Sequence, residues 1–348
     1  MKKVIEFHRW IGWFLTPCLL VSCITGTILM WLQPLPKNAP LRSNYELVAN
    51  ILDNSLLTLT AEDTRLKWSY IDLPRDAEVI RIRFSVVNEG ESGYWASIDS
   101  GTGKLISMVS DNDNLQAWLF NLHHEWFLGE TGSWPVGLVG LLGLTSIFLG
   151  FKIWFFLRKS KPKNLNRRWH RRIGIITFPA ILIIFFSGFA LSWPEAIRAP
   201  ISWATGQPRF KAPITKMDAL DSAEITPGVA IKIGINQIHN AIPTRIYPAK
   251  AGVYRLRLRA DELHPNGLNS VYINSSNGEV IKTIGWKELP LSSRYTNLIY
   301  PFHIGRPFNN IDANYIILLQ IFYSCVSLGI VMLIISGTFK FVINIKNR

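Results

Sequence analysis

Residues 8–31 read HRWIGWFLTPCLLVSCITGTILMW, and residues 170–193 read HRRIGIITFPAILIIFFSGFALSW. Each stretch opens with a histidine and an arginine and continues as an apolar run long enough for a helix to cross a bilayer of about 30 Å. Isoleucine, proline, glycine and tryptophan recur at one constant spacing between the two stretches. Several landmarks in one register predict an internal duplication.

Two further apolar runs complete a set of four predicted membrane spans, at 11–32, 133–151, 173–193 and 313–339. Lys2 and Lys3 precede the first run, as in a signal peptide, but its apolar core is about twice the usual length and no small-residue cleavage site follows. We interpret it as a retained anchor. The polar segments 34–132 and 194–312 are each long enough for a small folded domain.

The basic residues predict the orientation of these spans. The chain has 37 Lys and Arg against 24 Asp and Glu, a net charge of +13. Three short segments hold 14 basic residues and one acid, Glu6, so their excess of 14 − 1 equals the whole net charge. By the positive-inside rule these segments are cytoplasmic, and the charge records topology rather than nucleic-acid binding. The basic residues are Lys2, Lys3, Arg9, Arg158, Lys159, Lys161, Lys163, Arg167, Arg168, Arg171, Arg172, Lys340, Lys346 and Arg348.

Within the polar segments, apolar and polar residues alternate with a period of two. Residues 79–84 read VIRIRF and residues 253–258 read VYRLRL, each typical of a half-buried strand. Residues 98–106 and 273–281 read as hairpins, 226–242 as an amphipathic helix and 45–59 as a weaker one. The predicted fold class is therefore membrane α+β, with a bundle of four transmembrane helices and two small α+β domains on the outer side.

The predicted units follow one another along the chain as helix, domain and helix, twice over. They are transmembrane helix 1 (1–33), outer domain 1 (34–118), a pre-helix with transmembrane helix 2 (119–157), a basic cytoplasmic loop (158–172), transmembrane helix 3 (173–193), outer domain 2 (194–300), and a pre-helix with transmembrane helix 4 and the cytoplasmic tail (301–348).

Four short motifs carry a family resemblance. They are HRWIG at 8–12, LHHEWFLGETG at 122–132, HRRIG at 170–174 and FHIGRPF at 302–308. With the two strand repeats, they make nearly the whole chain similar to the PepSY-associated transmembrane family. The resemblance implies PepSY-like outer domains, a bacterial inner membrane, and a part in iron uptake, since the family includes haem-containing ferric-siderophore reductases.

Four histidines near the ends of the spans are the candidate haem ligands. His8 and His170 lie at matching positions on the predicted cytoplasmic side, and His123 and His303 precede spans on the outer side. Haem iron in a helix bundle takes imidazole nitrogens from facing helices. A span of about 24 residues is about 36 Å long, so the two sets cannot share one iron. We expect two b-type haems with two histidine ligands each, as the family's haem-binding members use histidines at such helix ends.

The outer ligand is ambiguous, because His123 and His124 are adjacent and point about 100° apart on a helix. The family's L-H-x-x-L-x-x-G spacing, which ends here at Gly129, favours His123, with His124 as a pocket residue. Arg9 and Arg171 are candidates to neutralise haem propionates, or to bind lipid headgroups.

The strand arginines allow two interpretations. Arg81 and Arg83 share one strand face, as do Arg255, Arg257 and Arg259. They form either a solvated sheet face or a surface for an anionic ferric chelate, with Arg255, Arg257 and Arg306 as candidate substrate-binding residues. Six tryptophans are candidates for a groove above the outer haem, and for those at 118–134 an interfacial belt is the favoured alternative: Trp95, Trp118, Trp126, Trp134, Trp203 and Trp286.

The leading functional hypothesis is a di-haem electron-transfer protein that reduces a ferric siderophore or another ferric chelate at the periplasmic face. The donor is a quinol or a cytoplasmic reductase, and no catalytic acid or nucleophile is needed. The sequence has no dinucleotide, ATP or zinc-peptidase motif, and Cys18, Cys23 and Cys325 lie within spans. The alternative is a membrane-tethered binding or regulatory module, since PepSY domains are also associated with restraining peptidases.

Overall fold

The computed structural model describes residues 1–33, 44–73, 79–86, 93–162, 164–208, 210–211, 225–262, 264–306 and 313–346. Lys163 and Arg348, two of the residues behind the predicted topology, lie outside this part. The elements are α1 (Lys2–Leu32), α2 (Asn44–Glu62), β1 (Leu66–Asp72), β2 (Val79–Val86), β3 (Gly93–Asp99), β4 (Leu105–Ser110), α3 (Leu115–His124), α4 (Ser133–Leu157), α5 (Leu165–Ser192), α6 (Pro194–Thr205), α7 (Pro227–Ile235), β5 (Ile242–Lys250), β6 (Val253–Arg259), β7 (Asn269–Asn274), β8 (Val280–Ile284), α8 (Leu291–His303) and α9 (Ala313–Lys346), with short 3₁₀ helices at Gly129–Gly132 and Trp286–Glu288.

Four of these helices, α1, α4, α5 and α9, are long and apolar enough to cross a membrane. Three of the four predicted spans lie within them, and 173–193 ends one residue beyond α5, but the helices are longer. In particular, α5 begins at Leu165, so the second half of the predicted loop 158–172 is helical. The side chain of Asn164 accepts a hydrogen bond from the backbone N–H of Arg167 and caps this helix.

The four long helices pack as a bundle in which α1 and α5 each contact both α4 and α9. Glycines bring α4 close to α5: a Cβ at Gly143 would lie 2.1 Å from the ring of Phe185, and one at Gly137 would lie 2.2 Å from the indole of Trp193. Small residues allow this close approach of helices in an apolar environment. A buried aliphatic cluster between α5 and α9 completes the centre of the bundle: Ile181, Val326, Ile330 and Ile334.

The eight strands form a single antiparallel sheet in the order β4-β3-β2-β1-β5-β6-β7-β8. The predicted pair of separate outer domains is thus one continuous sheet, joined where Ile71 of β1 lies opposite Ile246 of β5. Beside this junction the Asp72 carboxylate accepts hydrogen bonds from Arg245, at 2.5 Å and 3.0 Å. Each set of four strands would otherwise expose an unpaired edge, and pairing the two edges satisfies both.

One face of the sheet is covered by α2 and α7, which also pack on each other. The Asp53 carboxylate of α2 accepts hydrogen bonds from the Gly228 N–H and the Thr226 hydroxyl, at 2.7 Å and 2.5 Å. A Cβ at Gly228 would lie 2.3 Å from the carbonyl oxygen of Ala49, so the two helices touch backbone to backbone. The hydrophobic core is therefore continuous across the junction of the two strand sets.

Candidate functional site

The four candidate histidines meet in two pairs. His8 of α1 and His170 of α5 have ring centres 6.4 Å apart, at the end of the bundle away from the sheet, and we call them the distal pair. His123 of α3 and His303 of α8 have ring centres 6.0 Å apart, and we call them the sheet-side pair. Two imidazoles bonded at about 2.0 Å to opposite sides of one metal atom have ring centres roughly 6 Å apart. The spacing of each pair is therefore compatible with two imidazoles that would hold one metal atom between them.

The two pairs are separate sites. Thr25, which contacts His123, lies 17 residues after His8 on the same helix, α1. At 1.5 Å per residue this is about 25 Å along the helix axis. One metal ion cannot bridge that distance, so each pair has to be considered as a site of its own.

Hydrogen bonds to two hydroxyl groups determine which ring nitrogen carries the proton in the sheet-side pair. The Thr25 hydroxyl donates to the Val21 carbonyl at 2.7 Å, so toward Nδ1 of His123, 2.9 Å away, it acts as the acceptor. In the same way the Ser187 hydroxyl donates to the Ile184 carbonyl at 2.9 Å and accepts from Nδ1 of His303 at 2.9 Å. Nδ1 therefore carries the proton on both rings.

The distal pair has the same arrangement. The Ser336 hydroxyl donates to the Leu333 carbonyl at 3.1 Å and accepts from Nδ1 of His170 at 2.8 Å. Nδ1 of His8 donates to the backbone carbonyl of Ser146 at 3.0 Å, and the Ser146 hydroxyl oxygen lies 3.1 Å from the same nitrogen. With the proton on Nδ1, the other nitrogen, Nε2, keeps the lone pair that binds a metal, and a hydrogen bond of this kind orients a histidine ligand.

Each ring also lies against a glycine of a neighbouring helix. An ideal Cβ would be 2.9 Å from Cε1 of His123 at Gly26, and 3.4 Å from Cε1 of His303 at Gly188. In the distal pair, Gly150 and Gly337 pack on His8 and His170 with corresponding distances of 3.2 Å and 3.6 Å. A side chain at the tighter positions would push the ring out of place, so these glycines form the back wall of the two sites.

Gly26 and Gly188 are among the repeated landmarks of the two opening stretches, whereas the hydroxyl partners of the rings were not predicted. Thr25-Gly26, Ser187-Gly188 and Ser336-Gly337 are hydroxyl-glycine dipeptides, each contacting one histidine. Such dipeptides within spans are the signal that would have found them. By contrast, a Cβ at Gly12 would have nothing within 4 Å, so this glycine has no part in either site.

Each pair offers two imidazole nitrogens, a donor set that fits haem. Within the described residues, no group of three or more His, Cys, Asp or Glu side chains is placed to hold a metal ion. Haem needs only axial ligands from the protein, because the macrocycle supplies the other four. Burial lowers the pKa of His123 and of His303 well below the usual histidine value, which keeps both imidazoles neutral, as metal ligands must be.

His124 and the two candidate arginines have other surroundings. Nδ1 of His124 lies 3.1 Å from the Glu125 carboxylate, and its ring stacks on Phe120, so the structure brings His123 and not His124 against His303. Arg171 donates to the carbonyls of Ser160 and Arg158 just beyond α4, at 2.9 Å and 3.1 Å. Arg9 is half-buried and follows His8 directly on α1.

The candidate substrate residues divide into two places. Arg255 and Arg257 line a cavity between the sheet and α6 and α8, whereas Arg306 donates to the Gln33 carbonyl beyond the end of α1. The tryptophans do not share one groove: Trp95 is in β3, Trp118 in α3, Trp126 just beyond α3, Trp134 at the start of α4, Trp203 in α6 and Trp286 in the second 3₁₀ helix.

The comparison with protein families agrees with the membrane architecture. The family described as PepSY-associated TM region matches residues 5–342. No curated protein matches the chain. Among solved structures, a crystal structure of a lipoprotein candidate from Clostridium difficile 630 is similar at 12% identity, over 67% of this chain and 91% of the other, with a TM-score of 0.27.

Proposed function

The chain belongs to the family of PepSY-associated TM regions, and from that premise we propose that it is a di-haem b protein of the bacterial inner membrane that delivers electrons to a ferric chelate, such as a ferric siderophore, on the periplasmic side. The observation that carries the proposal is the pairing of the four histidines by depth, with ring centres 6.4 Å and 6.0 Å apart.

The proposed topology places one pair near each membrane surface. Both termini and the basic segment 158–172 are cytoplasmic in this proposal, because their positive charges resist translocation. The distal pair is then near the cytoplasmic surface, and the sheet-side pair is near the periplasmic surface beneath the eight-stranded sheet. In this proposal each site thus lies in one half of the membrane.

In this proposal the chain's own residues hold and orient the ligands. His8 and His170 hold one haem, and His123 and His303 hold the other, each presenting Nε2 because Nδ1 is engaged with Ser146, Ser336, Thr25 or Ser187. Bound haem iron supplies one-electron redox chemistry. The spans exclude water from both sites, since the rings pack against helix backbone.

The proposed reaction balances as a one-electron reduction. The ferric ion of the chelate gains one electron and becomes ferrous, which binds hard oxygen ligands less tightly and is released. The electron comes from a reduced donor of the quinol or flavoprotein class. No side chain has to act as an acid, base or nucleophile.

We further propose that the chain arose by duplication of one helix-domain-helix unit. Thr25-Gly26 contacts the His123 ring, and Ser187-Gly188 contacts the His303 ring in the same way. Each predicted copy contributes one such set. The strand order is also symmetric about the central β1 and β5. On one side β1 is followed outward by β2, β3 and β4, and on the other β5 is followed by β6, β7 and β8. A duplicated unit explains why the two copies supply one ligand each to both sites.

The proposal is tested by following haem oxidation in the purified protein. We expect two haem b groups per chain, reduced anaerobically by dithionite, and re-oxidised on addition of a ferric chelate with ferrous iron formed in equal amount. A protein that contains no haem, or whose reduced haem is not re-oxidised by any ferric chelate, would contradict it.

A further inference from the structure

A cavity of about 330 Å³ lies between the sheet and the helices α6 and α8. Pockets for small organic ligands begin at about this size. Arg255 and Arg257 of β6, Ser270 of β7, Arg198 of α6 and Asn297 of α8 contribute hydrogen-bond donors to its wall. The cavity is therefore lined mainly by groups that bind oxygen anions.

The charge of this wall is positive. Arg255 and Arg257 are two residues apart in one strand, so both side chains point to the same face of the sheet, about 7 Å apart. Arg198 adds a third cation, and Glu195, 3.6 Å from it, is the one acid in the lining. Three cations against one acid leave a net charge of +2 on the described wall.

The corresponding arginine in the other half of the sheet is neutralised. Arg83, the fifth residue of β2, pairs with the carboxylate of Asp111. Arg257, the fifth residue of β6, donates to the Gly267 carbonyl at 2.5 Å, and Arg255 donates to the Ser270 hydroxyl at 3.2 Å. Within the described part of the chain, no carboxylate pairs with Arg255 or Arg257.

Because Arg257 is partly shielded from water, the lack of a carboxylate partner has a free-energy cost. Desolvation lowers the pKa of the half-buried Arg257 guanidinium, and the neighbouring Tyr247 hydroxyl offsets this only in part. Buried charges in proteins are normally paired with an opposite charge. An anionic ligand in the cavity would supply the counterion that Asp111 supplies to Arg83.

The cavity is linked to the sheet-side histidines by one helix. Asn297 in the cavity wall and His303 in the sheet-side pair both belong to α8 and are six residues apart, about 9 Å along the helix. A ligand in the cavity would therefore lie close to the site that the proposed function assigns to electron delivery.

We propose that this cavity is the substrate site and that it binds a ferric chelate of the polycarboxylate class, held through separate carboxylates by Arg255 and Arg257. The inference rests on the proposed function. A guanidinium binds a carboxylate through two parallel hydrogen bonds, and two such forks on one strand select a ligand with several carboxylates. The volume is larger than one phosphate group would fill.

Binding is measured by titration calorimetry on the full chain in detergent, with gallium(III) citrate as the probe because gallium(III) is not reduced under these conditions. We expect Arg255→Gln and Arg257→Gln each to raise Kd at least about tenfold, the loss that follows from removing hydrogen bonds to a charged group. Arg81→Gln is the matched control, since Arg81 is the third residue of β2, as Arg255 is of β6, but is exposed. It should change Kd less than twofold.

The outcomes separate the cavity from the haem function. Unchanged Kd in both cavity variants, equal affinity for inorganic phosphate, or no citrate binding by a protein with its full haem content would overturn the cavity assignment. Citrate binding that depends on Arg255 and Arg257 in a protein without haem would support the cavity and contradict the di-haem proposal. Circular dichroism of both variants shows whether the sheet is intact, and Arg255→Lys, which keeps the charge without the fork, should give an intermediate Kd.

Discussion

The distal and sheet-side pairs place the same chemical groups at similar spacing, but different elements build them. His8 and His170 belong to the spanning helices α1 and α5 themselves, whereas His123 and His303 belong to the short helices α3 and α8, which dock against those spans. The distal pair therefore depends on bundle packing alone. The sheet-side pair depends also on the elements that connect its short helices to the sheet.

The hydrogen bonds differ in a corresponding way. Both sheet-side rings are held by side-chain hydroxyls, Thr25 and Ser187, while in the distal pair the His8 ring is held by the backbone carbonyl of Ser146 together with its hydroxyl. A backbone acceptor stays in place when its side chain is replaced. Replacing one hydroxyl side chain should therefore loosen either sheet-side ring more than it loosens the His8 ring.

The largest expected effect is from filling the glycine wall of the sheet-side pair. Gly26→Leu would place a side chain where a Cβ alone is already 2.9 Å from the His123 ring, so the ring must move away from its partner. We expect haem content, measured by the pyridine haemochrome method, to fall from two per chain to one. Gly12→Leu is the control on the same helix, because a Cβ there meets nothing within 4 Å, and it should keep both haems.

A smaller effect is expected from removing one hydroxyl. Thr25→Val keeps the shape of the side chain but deletes the acceptor for Nδ1 of His123, and loss of such an orienting partner typically weakens metal affinity about 10- to 100-fold. Haem transfer to apomyoglobin measures this as faster loss of one haem. Ser146→Ala removes the hydroxyl but keeps the backbone carbonyl that accepts from Nδ1 of His8, so it should leave the transfer rate of the distal haem nearly unchanged. An equal acceleration in both variants would remove the distinction between these two rings.

The smallest expected effect comes from the junction of the sheet. Asp72→Asn weakens the ion pair with Arg245, which is partly exposed, and should lower the free energy of unfolding of the sheet by about 1 kcal/mol. On heating, the sheet-side haem should then be released at a temperature a few degrees lower than in the unchanged protein, while the distal haem is not affected. Equal shifts for both haems would show that the two sites do not differ in their dependence on the sheet.

The parts of the molecule that depend on local pattern could be predicted from sequence. Apolar length located the four spans, alternation located β2 and β6, and the repeated landmarks singled out His8 and His170. The pairing of β1 with β5 could not be predicted in this way, because it joins residues more than 170 positions apart in the chain. It merges the two predicted outer domains into one sheet.

The residues of α4 and α9 that contact the distal histidines were also not predicted. These helices lack the repeated histidine and arginine landmarks, so no repeat register identifies Ser146 and Gly150, and only the hydroxyl-glycine dipeptide marks Ser336 and Gly337. Their role follows only from the packing of α4 on α1 and of α9 on α5, which places each hydroxyl or carbonyl against a ring. The cavity beside α6 depends on tertiary packing in the same way.

The most direct test of the central claim is the haem content of single histidine variants, measured with the visible spectrum of the detergent-purified protein. We expect two haem b groups per chain in the unchanged protein and one in each of His8→Ala, His170→Ala, His123→Ala and His303→Ala, with His124→Ala keeping two as the adjacent control. Absence of haem from the unchanged protein, or full haem content in the four variants, would contradict the account.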